Sequence, residues 1–105
     1  SRRRVDVMGI NDMGHIIIAE VKSSAADFRS DNKWQEYLEF CDGFYFAVGE
    51  DFPTDLLPDD QGLIIADEFH AETLRPSQEF KLNAARRKNV TLRFARQAAT
   101  RLNSK

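Results

Sequence analysis

Cysteine is almost absent from these 105 residues. Cys41 stands alone, which excludes an internal disulfide and fits a reducing compartment such as the cytoplasm. Long apolar runs are missing as well. The longest, Phe44 to Val48, has five residues, against the roughly 20 that a membrane-crossing helix needs. No secretory leader is visible, so the expectation is a cytoplasmic protein with no membrane partner. The five glycines (Gly9, Gly14, Gly43, Gly49 and Gly62) are dispersed and form no phosphate-cradling loop. His15 and His70 have no cysteine partners and fall short of a zinc pattern, even with Asp67 and Glu68 beside the second. The length suits one domain over residues 1–105 with one modest core.

Lysine and arginine are missing from Gln35 to Leu74, a stretch that holds eleven acidic residues. Residues 76–105 reverse this, with eight basic residues against Glu79 alone. The net charge of -2 therefore conceals a basic tail on an acidic body. A polyanion can approach the tail and the Arg2-Arg3-Arg4 start, and the middle repels it.

Val5–Ile10 and Ile16–Lys22 are rich in β-branched residues and flank Asn11-Asp12-Met13-Gly14, which reads as a hairpin. With a three-residue loop and Gly14 at positive φ, Asp6 falls directly opposite Glu20. One face then carries Val5, Val7, Ile17, Ala19 and Val21. The other carries Met8, Ile10, Ile16 and Ile18 near the turn, with Asp6, Glu20 and Lys22 farther along. A four-residue loop would send Asp6 and Glu20 to opposite faces. Ser23–Ser30 reads as a connection, and Asp31 as the N-cap of a helix to about Cys41, ended by Asp42-Gly43. In that helix Trp34, Tyr37, Leu38 and Cys41 form one buried stripe. Gly43–Val48 and Leu63–Ala66 read as buried strands, with a helical turn after Thr54 and a third strand over His70–Arg75. In the tail, Thr91, Phe94, Ala95, Ala98 and Leu102 share one side of a helix whose other side holds Arg93, Arg96, Gln97 and Arg101. Lys88 breaks that division and predicts a bend or new start near Asn89. The order points to an α/β domain with a mixed sheet.

Chemistry concentrates at Asp6 and Glu20-Val21-Lys22. Glu20 and Lys22 project from one strand face by alternation, and the hairpin register adds Asp6. Opposed carboxylates destabilise a sheet unless a cation joins them, either a divalent metal or neighbouring Lys and Arg. Such oxygen donors suit Mg²⁺, with Mn²⁺ as substitute. Lys22 beside that ion can orient a water and stabilise charge on a phosphoryl oxygen. The ordinary alternative is a strand salt bridge of Glu20 with Lys22 or Arg4. Burial of both faces of the Ile-Ile-Ile-Ala run argues for the special role, because buried charge must be paired or metal-bound. Cys41, Trp34 and Tyr37 read as core residues at helical spacing.

The pattern of Asp6, then Glu20-Val21-Lys22 on the second hairpin arm, then a helix and strands, resembles the PD-(D/E)xK nuclease superfamily. Arg3–Ile10 and Ile18–Ser24 look more narrowly like the MmcB-like endonucleases of bacterial DNA repair, and the similarity extends to Ala84-Ala85-Arg86-Arg87 in the tail. The resemblance implies a restriction-endonuclease-like mixed β-sheet with flanking helices, and hydrolysis of DNA phosphodiester bonds. It implies that Asp6, Glu20 and the Val21 carbonyl bind Mg²⁺, that Lys22 assists the attacking water, and that a polar residue on the next helix supports them. Lys33 and Gln35 are the candidates for that support, with solvation of an exposed face as their plain alternative. The superfamily's first core helix has no counterpart, since only Ser1–Arg4 precede the first strand, so the chain reads as a depleted fold or part of a longer protein. DNA is the expected partner, with Arg3, Arg4, Lys33, Arg93 and Arg96 as phosphate contacts. The alternatives for the tail are a solvated face, docking on the acidic middle of its own chain, or pairing in a homodimer. For the whole chain the alternative to an endonuclease is an inactive nuclease-fold module for DNA binding or assembly.

Overall fold

The computed structural model describes residues 6–103, with Asp6 described through its backbone alone. Arg3 and Arg4 lie outside the described residues. Five strands form one mixed sheet in the order β1-β2-β3-β4-β5: β1 Asp6–Ile10, β2 Ile16–Val21, β3 Gly43–Val48, β4 Gly62–Ala66 and β5 Ala71–Arg75. The outer pairs, β1 with β2 and β4 with β5, are antiparallel, and the inner pairs are parallel. This is an α/β fold, with the two parallel steps supplied by crossovers after β2 and β3.

The hairpin has the three-residue loop. Gly14 adopts φ 79°, its N–H donates to the Asn11 carbonyl at 2.9 Å, and the Asn11 N–H donates to the His15 carbonyl at 3.0 Å. That left-handed conformation favours glycine, and it sets the register in which Asp6 pairs with Glu20 and Met8 with Ile18. Strand alternation then sends Ile16, Ile18, Glu20 and Lys22 to one face, where all four are buried.

The crossover from β2 to β3 differs from the sequence expectation. Ser23–Ser30 is not a bare connection, because Ala25–Arg29 forms α1. The Ser24 hydroxyl accepts from the Asp27 N–H at 3.0 Å, while the Asp27 carboxylate accepts from the Ser23 N–H at 3.0 Å. That arrangement is close to a capping box written as Ser-x-x-Asp. The helix expected from Asp31 is a 3₁₀ helix over Trp34–Phe40, and Asp31 does not cap it. Three residues per turn bring Trp34, Tyr37 and Phe40 into line, which suits aromatics spaced by three. Trp34 stacks on Phe44 at 5.8 Å between ring centroids and meets Phe46 edge-on at 5.1 Å. Phe28 of α1 meets Phe46 edge-on at 5.6 Å, so α1 and the Trp34 helix cover the same sheet face.

A second 3₁₀ turn over Thr54–Leu56 realises the helical turn expected after Thr54. The tail forms one uninterrupted helix, α2, over Ala84–Asn103, with no break at Asn89. Lys88 is exposed, so its position against the apolar stripe costs nothing that would bend the helix. The expected stripe is not a buried one. Val90 is buried and Phe94 half-buried, whereas Ala95, Ala98 and Leu102 are exposed.

Asp42 joins three elements. Its carboxylate accepts from the Ile16 N–H at 2.8 Å and takes both arms of the Arg87 guanidinium, at 2.6 and 2.8 Å. Its own N–H donates to the Ile16 carbonyl and its carbonyl accepts from the Phe80 N–H. A residue expected only to end a helix thus clamps β2, β3 and α2 together. No described helix is long and apolar enough to cross a membrane.

Candidate functional site

The end of β2 carries a buried charge cluster. Lys22 Nζ lies 3.1 Å from Glu20 Oε2 and 2.5 Å from Asp31 Oδ2, and the side chains of Glu20 and Lys22 have no exposed surface. The Asp31 carboxylate is 6% exposed. Three elements position these groups. Alternation on β2 and just past its end puts Glu20 and Lys22 on the covered face, and the parallel ladder to β3 continues through the Lys22 N–H, which donates to the Ala47 carbonyl at 3.0 Å. Asp31 is held in its loop by accepting the Lys33 N–H at 2.8 Å through its other oxygen. A buried ammonium flanked by two carboxylates is a compensated arrangement, and its removal would leave two anions facing each other out of water.

Asp31 was missed as a site residue. Its sequence context, Ser30-Asp31-Asn32 before an apolar helix, looks like a cap, and nothing local reports that Lys22 reaches it. The expected supporting residues lie elsewhere. Gln35 and Lys33 are exposed on and beside the Trp34 helix. Lys33 nonetheless lines two neighbouring cavities, one of which also contains Asp31.

Position 6 sits directly opposite Glu20 in the β1–β2 ladder. Directly opposed strand residues have Cα atoms about 4.5–5.5 Å apart. Among the described residues no group of three or more His, Cys, Asp or Glu side chains is gathered for a metal. Of the expected donor set the described residues supply the Glu20 carboxylate and the Val21 main-chain carbonyl, oxygen donors of the kind that suit Mg²⁺.

At the other end of β2, where Asp42 meets Ile16, the basic tail is tied to the body of the domain. Arg86 pairs with Glu39 at 2.9 Å and lies over the Phe40 ring at 4.8 Å, while Arg87 is taken up by Asp42. These two contacts dock the start of the basic tail on the acidic middle of its own chain. Arg93 and Arg96, farther along α2, are exposed and have no ion-pair partner among the described residues. Cys41 takes no part in chemistry here. It is fully buried, and burial, with Asp42 beside it, pushes its thiol up to about 12.

A family model described as MmcB-like, DNA repair protein MmcB-like, matches residues 1–105. No curated protein matches the sequence. Among solved structures, a protein of unknown function from Silicibacter pomeroyi is 51% identical, with a TM-score of 0.91 over 97% of this chain and 70% of that one.

Proposed function

Since the chain belongs to the MmcB-like DNA repair family, we propose that it is a Mg²⁺-dependent endonuclease of the PD-(D/E)xK type, with a restriction-endonuclease-like sheet, that hydrolyses DNA phosphodiester bonds. The observation that carries this reading is the pairing of position 6 with Glu20 on the face where Lys22 Nζ stands 3.1 Å from the Glu20 carboxylate. Asp6, Glu20 and the Val21 carbonyl would hold the ion, which supplies Lewis acidity to a phosphoryl oxygen when bound. Lys22, an ammonium held by two carboxylates, acts as a donor rather than a base. Two of its three N–H groups face Glu20 and Asp31, leaving a third to orient water or meet a phosphate oxygen. Because the side chain has no exposed surface, substrate reaches that donor only when its cover is displaced.

Cleavage of branched and single-stranded DNA tests this directly. The protein should nick DNA in Mg²⁺ or Mn²⁺ and stop in EDTA, and Glu20→Gln and Lys22→Ala should each lose at least about 100-fold in rate. Equal background from all three proteins would reject a hydrolytic site here.

The complete burial of Glu20 and Lys22 favours one other reading, a nuclease-fold module that binds DNA without cutting it. In that case Arg93→Ala with Arg96→Ala weakens binding and flattens its salt dependence, while Glu20→Gln leaves binding unchanged.

A further inference from the structure

We propose that the cavity between β1, the Trp34 helix and α2 accepts the unstacked bases of single-stranded DNA and leads the strand to the Glu20–Lys22 cluster. The inference rests on the DNA-binding reading above and adds the form of the substrate. The cavity measures about 560 Å³, within the range of roughly 300–1,000 Å³ that encloses small organic groups. Tyr37 and Phe40 from the Trp34 helix and Phe94 from α2 supply aromatic wall. Lys33, Arg93 and Arg101 stand on the same wall, against Glu36 as the one carboxylate among the described residues that line it.

This mixture has a specific chemical match. Aromatic faces capture bases whose faces are free, and cations beside them track the phosphates. A duplex keeps its base faces stacked on one another and offers a protein phosphates and groove edges, for which a concave aromatic wall has no use. The position of the cavity links it to the proposed chemistry. Its floor includes Met8 and Ile18, a directly paired couple on the same sheet face as the next such couple, Asp6 and Glu20. Two residues along a strand span about 7 Å. Lys33 and Tyr37 also wall the smaller cavity that Asp31 lines, so the two spaces are neighbours. Phe94 lies outside the hydrophobic core cluster, and an aromatic held at a cavity wall rather than in the core is free to serve a ligand.

Anisotropy of a labelled oligothymidylate about a dozen nucleotides long, compared with a duplex of equal length in EDTA, separates the possibilities without cleavage. The single strand should bind at least about tenfold more tightly than the duplex. Phe94→Ala should weaken single-strand binding about tenfold and duplex binding less than about twofold, and Phe94→Tyr should restore it. A thermal melt of each variant verifies that the fold is intact. Equal affinity for both DNA forms, or a Phe94→Ala effect shared equally by both or absent from both, overturns the proposal. Strong single-strand preference in a protein that never cuts DNA would overturn the nuclease reading alone, and cutting without that preference would overturn the base-binding cavity alone.

Discussion

Lys22 is the residue on which the covered face depends. It stands between Glu20 and Asp31 with its side chain wholly buried, so its charge answers two others that burial would otherwise make costly. Lys22→Met should therefore destabilise the protein by about 3–5 kcal/mol, seen as a lowered urea midpoint. Glu20→Gln, which leaves Asp31 on the ammonium, should cost less. Loss of cleavage by Lys22→Ala needs that stability measurement beside it. Asp42 makes the complementary case for pH. The Arg87 hydrogen bonds hold its carboxyl below the usual carboxylate range, and the Ile16 N–H adds to this. The resulting stabilisation is complete above the unfolded value of about 3.9 and is lost as pH falls through the lower folded value. Asp42→Asn should be less stable than the parent at pH 7, and the gap in urea midpoint should shrink toward about pH 3. A gap that persists unchanged in acid would remove Asp42 from this role.

At the scale of elements, the hairpin is the best specified part of the chain. Glycine at position 14 has open space around its α-carbon, so Gly14→Ala meets no clash and should cost about 1–2 kcal/mol through its backbone angle alone; a urea titration measures it. That one residue decides between the three- and four-residue loops that the sequence left open, and with it the pairing of positions 6 and 20. β3 and β4 were legible too, because strands inside the sheet, each with a neighbour on either side, read as near-continuous apolar runs. The crossover was not. Aromatics at Trp34, Tyr37 and Phe40 fit a period of three as well as an α-helical stripe, and the distinction depends on Phe44 and Phe46 beneath them. Asp31 resembled a cap because its partner lies nine residues back across a strand end. α1 had a readable signal in Ser24-Ala25-Ala26-Asp27. The exposure of the α2 stripe past Val90 has no local signal, since it reflects what packs there rather than which residues are present.

For the molecule as a whole, the helices gather on one face of the sheet, and charge is divided accordingly. α2 runs about 30 Å with six basic residues and no acidic one over Ala84–Asn103, and its first two arginines engage Glu39 and Asp42. Lys88, Arg93 and Arg96 remain exposed, where the proposed DNA binding would use them. Single-strand binding should then weaken with added salt at a log–log slope of about -2, and removing Arg93 and Arg96 together should flatten it by more than about 1. The opposite face, with Ile17, Ala19, Val21, Tyr45, Ala47 and Ile64, is only half-buried, so the covered side is where both the charges and the cavity reside. The sealing of Lys22 gives the native state a chemical reporter. An amine-acylating reagent should modify Lys33 at once and spare Lys22 until the fold opens, so the slow appearance of a single acylated peptide, followed by mass spectrometry, clocks how often this interior is laid bare.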